Sequence, residues 1–240
     1  MSDRVERVLI AIPAYNESGR VGAVVRDVRS VLPDADVLVV DDGSADATAR
    51  EAAEAGALVL SLPVNSGYGA ALQSAYKFAA RHDYEIVGQI DADGQHRAEY
   101  LPKMLATLHE EGVDVVIGSR FMDRDGHYKA PAARRAGIAL FSRIATLITR
   151  QHVTDPTSGY QVMRAPVARF FCTEVYPVDY PDVDILILLH RSGYAVREVP
   201  VQMRAAVNKS MHGGHRSLYY IYKMFLSILV TLLRRRGESG

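Results

Sequence analysis

The chain has a single cysteine, Cys172, so no internal disulfide can form and a reducing compartment is expected. It has no excess of either charge, with Lys and Arg together at 28 and Asp and Glu at 28. General affinity for polyanions is therefore not implied, and nucleic acid is not the default partner. Met1–Arg7 is polar and lacks the apolar core of a secretory signal, which makes the cytoplasm the expected location. None of the histidines stands in an H-x-x-x-H spacing, so zinc is not expected. No stretch is apolar for the about 20 residues that a membrane span needs. The longest, Leu218–Leu233, would form a helix of about 24 Å and is interrupted by Lys223. Repeats and low-complexity tracts are also missing.

What remains is a composition with 48% hydrophobic and 23% charged residues, suited to one large α/β domain. Short, largely apolar runs recur at Val8–Ile12, Val37–Val40, Leu58–Leu60, Ile86–Ile90 and Val113–Ile117. Runs of this length without alternation predict strands buried on both faces. Helix-like segments separate them at Arg20–Leu32, Asp46–Ala55, Gly69–Arg81 and Glu99–Glu111. This order predicts a mainly parallel, doubly wound sheet flanked by helices. The second half is less regular. Helices are expected at Ala136–Thr149 and Val183–Arg191, a turn cluster at Asp155–Tyr160, a strand at Tyr194–Met203 and a polar loop at Asn208–Arg216. No linker is evident. The expected organisation is one domain over 1–216 followed by an apolar and basic helix over 217–240.

Ligands of such sheets bind at the carboxyl ends of the strands. Five polar clusters fall there: Tyr15-Asn16-Glu17, Asp41-Asp42-Gly43-Ser44, Asn65-Ser66-Gly67-Tyr68-Gly69, Asp91-Ala92-Asp93-Gly94-Gln95 and Gly118-Ser119-Arg120. The D-x-D of the fourth carries the most chemistry. Mg²⁺ keeps several waters and is bound through one or two carboxylates together with substrate phosphates. Paired aspartates at a strand end therefore suit a nucleotide-diphosphate site.

In order along the chain stand Ile12-Pro13-Ala14-Tyr15-Asn16-Glu17, Val40-Asp41-Asp42-Gly43-Ser44, Asp91-Ala92-Asp93-Gly94-Gln95, Gly118-Ser119-Arg120-Phe121 and Asp155-Pro156-Thr157-Ser158-Gly159-Tyr160. This set resembles the family-2 glycosyltransferases of GT-A fold, especially the dolichyl- and polyprenyl-phosphate mannose or glucose synthases. The likeness covers about residues 8–204. It implies an inverting, metal-dependent transfer of a hexose from a nucleotide-diphosphate sugar to a polyprenyl phosphate. By the same resemblance, Asp42 binds the donor's nucleotide half, with Pro13, Tyr15 and Glu17 lining base and ribose. Asp91, Ala92 and Asp93 meet the diphosphate, and Asp91, Asp93 and Gln95 hold Mg²⁺ or Mn²⁺. Arg120 and Arg134 take the acceptor phosphate, a role that bidentate guanidinium forks suit. Arg204 meets the donor diphosphate. The lysine that such enzymes often carry soon afterwards has no clean match, leaving Lys209 or His212 as substitutes.

Asp184 keeps a second reading open. A hydroxyl acceptor needs a base to take its proton, whereas an ionised phosphate does not. Asp184 stands where such a base is placed in hydroxyl-using relatives, although an acid at a helix start also simply favours the dipole. A nucleotidyltransferase would carry an early loop rich in glycine and lysine. Ile12–Arg20 has Gly19 and no lysine, which argues against that class. A non-catalytic binder of nucleotide sugars is disfavoured by the intact Asp93 and Gln95. The C-terminal segment ends in Arg234-Arg235-Arg236. It fits either a helix docked on the core, a contact with a second copy, or a helix at a membrane surface with its arginines at anionic headgroups.

Overall fold

The computed structural model describes residues 6–122, 132–177, 182–204 and 215–233. Its seven strands are β1 (Val8–Ala14), β2 (Asp36–Asp41), β3 (Leu58–Ser61), β4 (Ile86–Gln89), β5 (Val115–Ser119), β6 (Gln161–Arg164) and β7 (Val196–Pro200). They form one sheet in the order β3-β2-β1-β4-β6-β5-β7. All pairs are parallel except those of β6, which runs antiparallel to both β4 and β5. The helices are α1 (Val21–Val31), α2 (Thr48–Glu54), α3 (Tyr68–Arg81), α4 (Leu101–Glu110), α5 (Ala132–Thr149), α6 (Ala165–Phe171), α7 (Val183–Arg191) and α8 (His215–Leu233).

The apolar runs have the expected cause. Side chains alternate across a strand, so Leu9 and Ala11 enter one core layer while Ile10 and Ile12 enter the other. α3, α6 and α7 cover the first layer, through Leu72, Tyr76, Phe171 and Leu189 among others. α1 and α4 cover the second, through Val21, Val25, Leu101 and Met104. Each fully buried aliphatic side chain of this kind stabilises the fold by about 1.5–3 kcal/mol relative to exposure.

Several expectations change. β6 and α6 are not predicted, because Gln161–Arg164 is four residues long and passes straight into a helix, so no turn signal separates them. β3 is the sheet edge, and Leu58 is 47% exposed, so this run is not covered on both faces. β7 ends at Pro200 rather than Met203, which instead makes an isolated bridge to His96. α2 begins at Thr48, two residues after the expected Asp46, whose carboxylate accepts from the Thr48 amide at 2.9 Å. α5 starts at Ala132, ahead of the expected Ala136. The polar loop closes earlier than expected, since His215 and Arg216 already belong to α8.

Candidate active site

The sheet order reverses beside β1, which pairs with β2 on one side and β4 on the other. Crevices in such sheets open at this switch, beyond the strand ends. The loops there are stitched together. Asn16 holds a left-handed φ of 54°, a conformation asparagine tolerates. Its Oδ1 accepts from the Ala45 amide at 3.0 Å, and its own amide donates to Ser44 Oγ at 2.9 Å. The Glu17 amide donates to Thr48 Oγ1 at 2.8 Å. The loop after β1 is thereby fixed to the loop after β2.

Asp42 is buried, and both its oxygens are engaged. Oδ1 accepts from the Ser66 amide at 2.7 Å and Oδ2 from the Gly67 amide at 2.8 Å, so the carboxylate holds the loop that starts α3. The chain makes this approach at Gly43, where φ is +71° and a Cβ would lie 2.7 Å from the Val64 carbonyl carbon. Each carboxylate oxygen has further lone pairs, so Asp42 can still face a ligand while holding the loop.

A cavity of about 350 Å³ opens among these loops. Its walls include Pro13, Tyr15 and Glu17 after β1, Asp42 after β2, Tyr68 at the start of α3, and Asp91, Ala92 and Asp93 after β4. The first four strand-end clusters therefore converge on it, and the fifth does not line it. Tyr68 donates to Asp91 Oδ1 at 2.9 Å. Although the residue is 38% exposed, desolvation around the hydroxyl and then the Asp91 charge push the Tyr68 hydroxyl above its ordinary range, so it stays a donor. On the other side of Asp91, His96 Nδ1 lies 3.3 Å from the Asp91 amide and 3.4 Å from Oδ2. One nitrogen cannot accept from the first and donate to the second. The amide carries a fixed hydrogen, so Nδ1 is the acceptor and the pair is not an ion pair. His96 is held by stacking on Tyr160, with centroids 4.9 Å apart.

Asp93 Oδ1 accepts from the Gln95 amide at 2.9 Å, and its Oδ2 accepts from the Gln95 side chain. Gln95 is therefore turned to Asp93 and does not line the cavity. Among the described residues no group of three or more His, Cys, Asp or Glu side chains is placed to hold a metal ion. The donor set nevertheless fits a hard cation. Asp91 and Asp93 present oxygens to one cavity, and Mg²⁺ or Mn²⁺ can complete its shell with phosphate and water. Glu17 registers the acidity of this wall. Burial raises its carboxyl above 4.5; Arg20, at 2.7 Å from Oε2, opposes, and Asp93, Asp46 and Asp91 raise it further.

The remaining expected residues lie elsewhere. Arg120 is buried, with Nε 2.6 Å from Asp155 Oδ2 and Nη2 2.7 Å from Oδ1; Nη2 also donates to Thr157 Oγ1 at 2.9 Å. Its fork holds the 155–157 loop, where an acceptor phosphate was expected. Asp155 is positioned in turn by Glu198 of β7, whose Oε1 accepts from its amide at 2.8 Å. Arg204 is tied to the D-x-D segment through its backbone, its amide donating to the Gln95 carbonyl at 2.8 Å. Its guanidinium, expected at the donor diphosphate, pairs instead with Asp27 of α1 at 2.8 Å, on the surface. Asp184 is buried at the start of α7. Oδ1 accepts from the amides of Asp182 and Ile185, each at 3.0 Å, and Oδ2 from Ser227 Oγ of α8. It does not line the cavity. Arg134 falls on α5, but its side chain lies outside the described residues, as do Lys209 and His212. The residues that sequence reasoning missed are Tyr68, placed in a strand-end cluster but given no role, and His96, one position past the D-x-D motif.

This sheet, with its paired aspartates beside the β1–β4 switch, defines a GT-A glycosyltransferase. The chain belongs to Glycosyl transferase family 2, whose sequence profile matches residues 9–171. Among its relatives is the undecaprenyl-phosphate mannosyltransferase of Micrococcus luteus, 30% identical over 87% of this chain and 88% of that protein. The polyprenol monophosphomannose synthase of Mycolicibacterium smegmatis is 28% identical over 82% of this chain and 77% of its own. Among solved structures, the glucosyl-3-phosphoglycerate synthase of Mycobacterium tuberculosis, in complex with Mn²⁺, UDP-glucose and phosphoglyceric acid, superposes with a TM-score of 0.70. It is 22% identical, over 97% of this chain and 80% of that one, and the likeness is one of fold.

Proposed function

We propose that this enzyme transfers a hexose, with inversion, from a nucleotide-diphosphate sugar to a polyprenyl phosphate at a membrane surface. The observation that carries the reading is the convergence of four strand-end segments on one cavity, with Asp91 and Asp93 on its wall. The relatives named as undecaprenyl- and polyprenol-phosphate mannose enzymes support the acceptor class. Asp91 and Asp93 would hold Mg²⁺ or Mn²⁺, which when bound offsets the charge that builds on a leaving nucleoside diphosphate. Tyr15, Glu17 and Pro13 line the side of the cavity proposed for base and ribose. The acceptor phosphate arrives ionised and attacks from the face opposite the leaving group, so no base is needed. The position of Asp184, buried and bonded to α8, favours this acceptor over a hydroxyl. Arg134 remains the proposed contact for the acceptor phosphate, and Arg120 is assigned to holding the loop at Asp155.

The membrane part of the proposal rests on α8. Its inner side carries Met224 and Ile228, while Phe225, Leu226, Leu229, Val230 and Leu233 are exposed, Leu233 by 73%. In sequence Arg234–Arg236 follow directly. An apolar face ending in cations fits an anionic bilayer surface. The deciding experiment supplies GDP-mannose, UDP-glucose, UDP-GlcNAc and a dTDP-hexose in turn. Vesicles carry either polyprenyl phosphate or the free polyprenol. Transfer to the phosphate alone is expected; transfer to the polyprenol alone would replace this reading by the hydroxyl one.

A further inference from the structure

We propose that Tyr68 is a positioning residue for Asp91, its hydroxyl setting the carboxylate that takes the divalent ion. This rests on the function proposed above. The hydroxyl is the middle of a directed chain of hydrogen bonds. Tyr76 donates to Gln89 Oε1 at 2.7 Å, Gln89 Nε2 donates to Tyr68 Oη at 3.1 Å, and Tyr68 donates to Asp91 Oδ1 at 2.9 Å. Gln89 and Tyr76 are buried, at 3% and 1% exposure. An ionised carboxylate accepts only, so the single Tyr68 proton goes to Asp91. The Tyr68 oxygen must then accept from the amide nitrogen of Gln89, and the amide oxygen is left to Tyr76. Each of the three hydrogen bonds then has one consistent direction. Asp91 Oδ1 is thus engaged by the Tyr68 hydroxyl while Asp91 lines the cavity.

Gly159 closes the cradle from a third element. A Cβ there would lie 2.7 Å from the Tyr68 hydroxyl oxygen and 3.5 Å from both Asp91 Oδ1 and Gln89 Nε2. Any residue with a Cβ at 159 would therefore have to displace the hydroxyl. Gly159 follows the 155–157 loop that Arg120 grips, so the buried ion pair and the D-x-D motif are joined through this contact. Tyr68 belongs to α3 and stands well before Asp91 in the chain, which is why the D-x-D pattern alone does not disclose it.

The test compares wild type, Tyr68→Phe, Gly159→Ala and the double variant. Mn²⁺ is titrated with GDP, UDP or dTDP, whichever the wild type binds, and occupancy is read by the Mn²⁺ EPR signal and by calorimetry. Tyr68→Phe keeps the ring, so its ligand-free Tm should stay within about 4 °C of wild type. Its Mn²⁺ half-saturation should rise about ten-fold or more, the usual effect of losing a hydrogen bond to a charged group. High Mn²⁺ should restore occupancy, which a general loss of structure would not allow. Gly159→Ala should shift the titration the same way. In the double variant the new methyl has no hydroxyl to displace, so it should be no worse than Tyr68→Phe alone. A wild type that binds none of the three nucleotides with Mn²⁺ overturns the proposed function and this role with it. A wild type that binds, with both single variants matching its titration, overturns the Tyr68 role alone.

Discussion

Removing the Arg120 guanidinium leaves Asp155, fully buried, with its charge met, among the described residues, by the Arg120 amide at 3.0 Å and the Thr157 hydroxyl at 3.3 Å. Breaking a buried pair by deleting one partner costs about 3–5 kcal/mol. Arg120→Ala should therefore lower the unfolding free energy measured by urea denaturation by that much, while the protein that remains folded keeps its acceptor KM. A stable variant with a raised acceptor KM would put the guanidinium on the acceptor after all. Asp184 gives a pH signature. Burial raises its carboxyl above 3.8, while Ser227 and the amides of Asp182 and Ile185 pull it down. The folded protein thus holds this proton more firmly than the unfolded chain does. Its contribution is fully present below the ordinary value and is lost as pH rises through the folded one. Asp184→Asn carries no such charge, and its stability should fall less steeply than wild type as pH rises above 3.8. Its transfer rate should change only modestly, whereas a catalytic base would cost about 10²–10⁴-fold. Asp42, Asp91 and Asp93 were legible because a strand end fixes where their side chains emerge. Arg120 and Asp184 also stand at element ends, but their partners, Asp155 and Ser227, are 35 and 43 residues away, beyond what local pattern can show.

At the scale of elements, the first half of the chain was legible because each strand is a short, mostly apolar run and helix-like segments separate them. β6 was not, since its four residues pair antiparallel between β4 and β5 and are fixed by those neighbours alone. α8 was legible as a helix, and its two apolar sides were not distinguishable until α7 covered one of them. No helix among the described residues is long and apolar enough to cross a membrane. The two sides of α8 should respond differently to mutation. Ile228→Ala, on the inner side, should cost about 2–5 kcal/mol. Leu229→Ser with Leu233→Ser, on the outer side, should stay within about 0.5 kcal/mol per site. That pair should nevertheless weaken binding to anionic vesicles about ten-fold or more, given the transfer free energy of a leucine side chain. Salt should release wild type partly, because screening acts over about 10 Å at 0.1 M. Vesicle sedimentation measures both effects. Unchanged sedimentation of the double variant would assign this face to another occupant, such as a second copy of the chain.

At the scale of the whole molecule, acids and bases balance at 28 each, yet Glu17, Asp42, Asp91 and Asp93 all line one cavity. The sheet order concentrates them there, because β2, β1 and β4 are adjacent strands whose ends point the same way. That concentration opposes a nucleoside diphosphate unless a cation intervenes. The thermal response of the intact protein tests this directly. GDP or UDP alone should leave Tm nearly unchanged. With Mn²⁺ or Mg²⁺ at about a hundred times the dissociation constant of the complex, binding adds about 2.7 kcal/mol of apparent stability. For a domain of this size that corresponds to a rise of about 5–10 °C. Asp93→Ala should fold as well as wild type, since its carboxylate bonds only to Gln95 in the described contacts and removing it relieves the charge on Glu17. It should lose most of the cation-dependent rise, and hexose transfer with it. A full rise in the presence of chelator, in wild type and variant alike, would mean that the acidic wall takes its ligand without a metal.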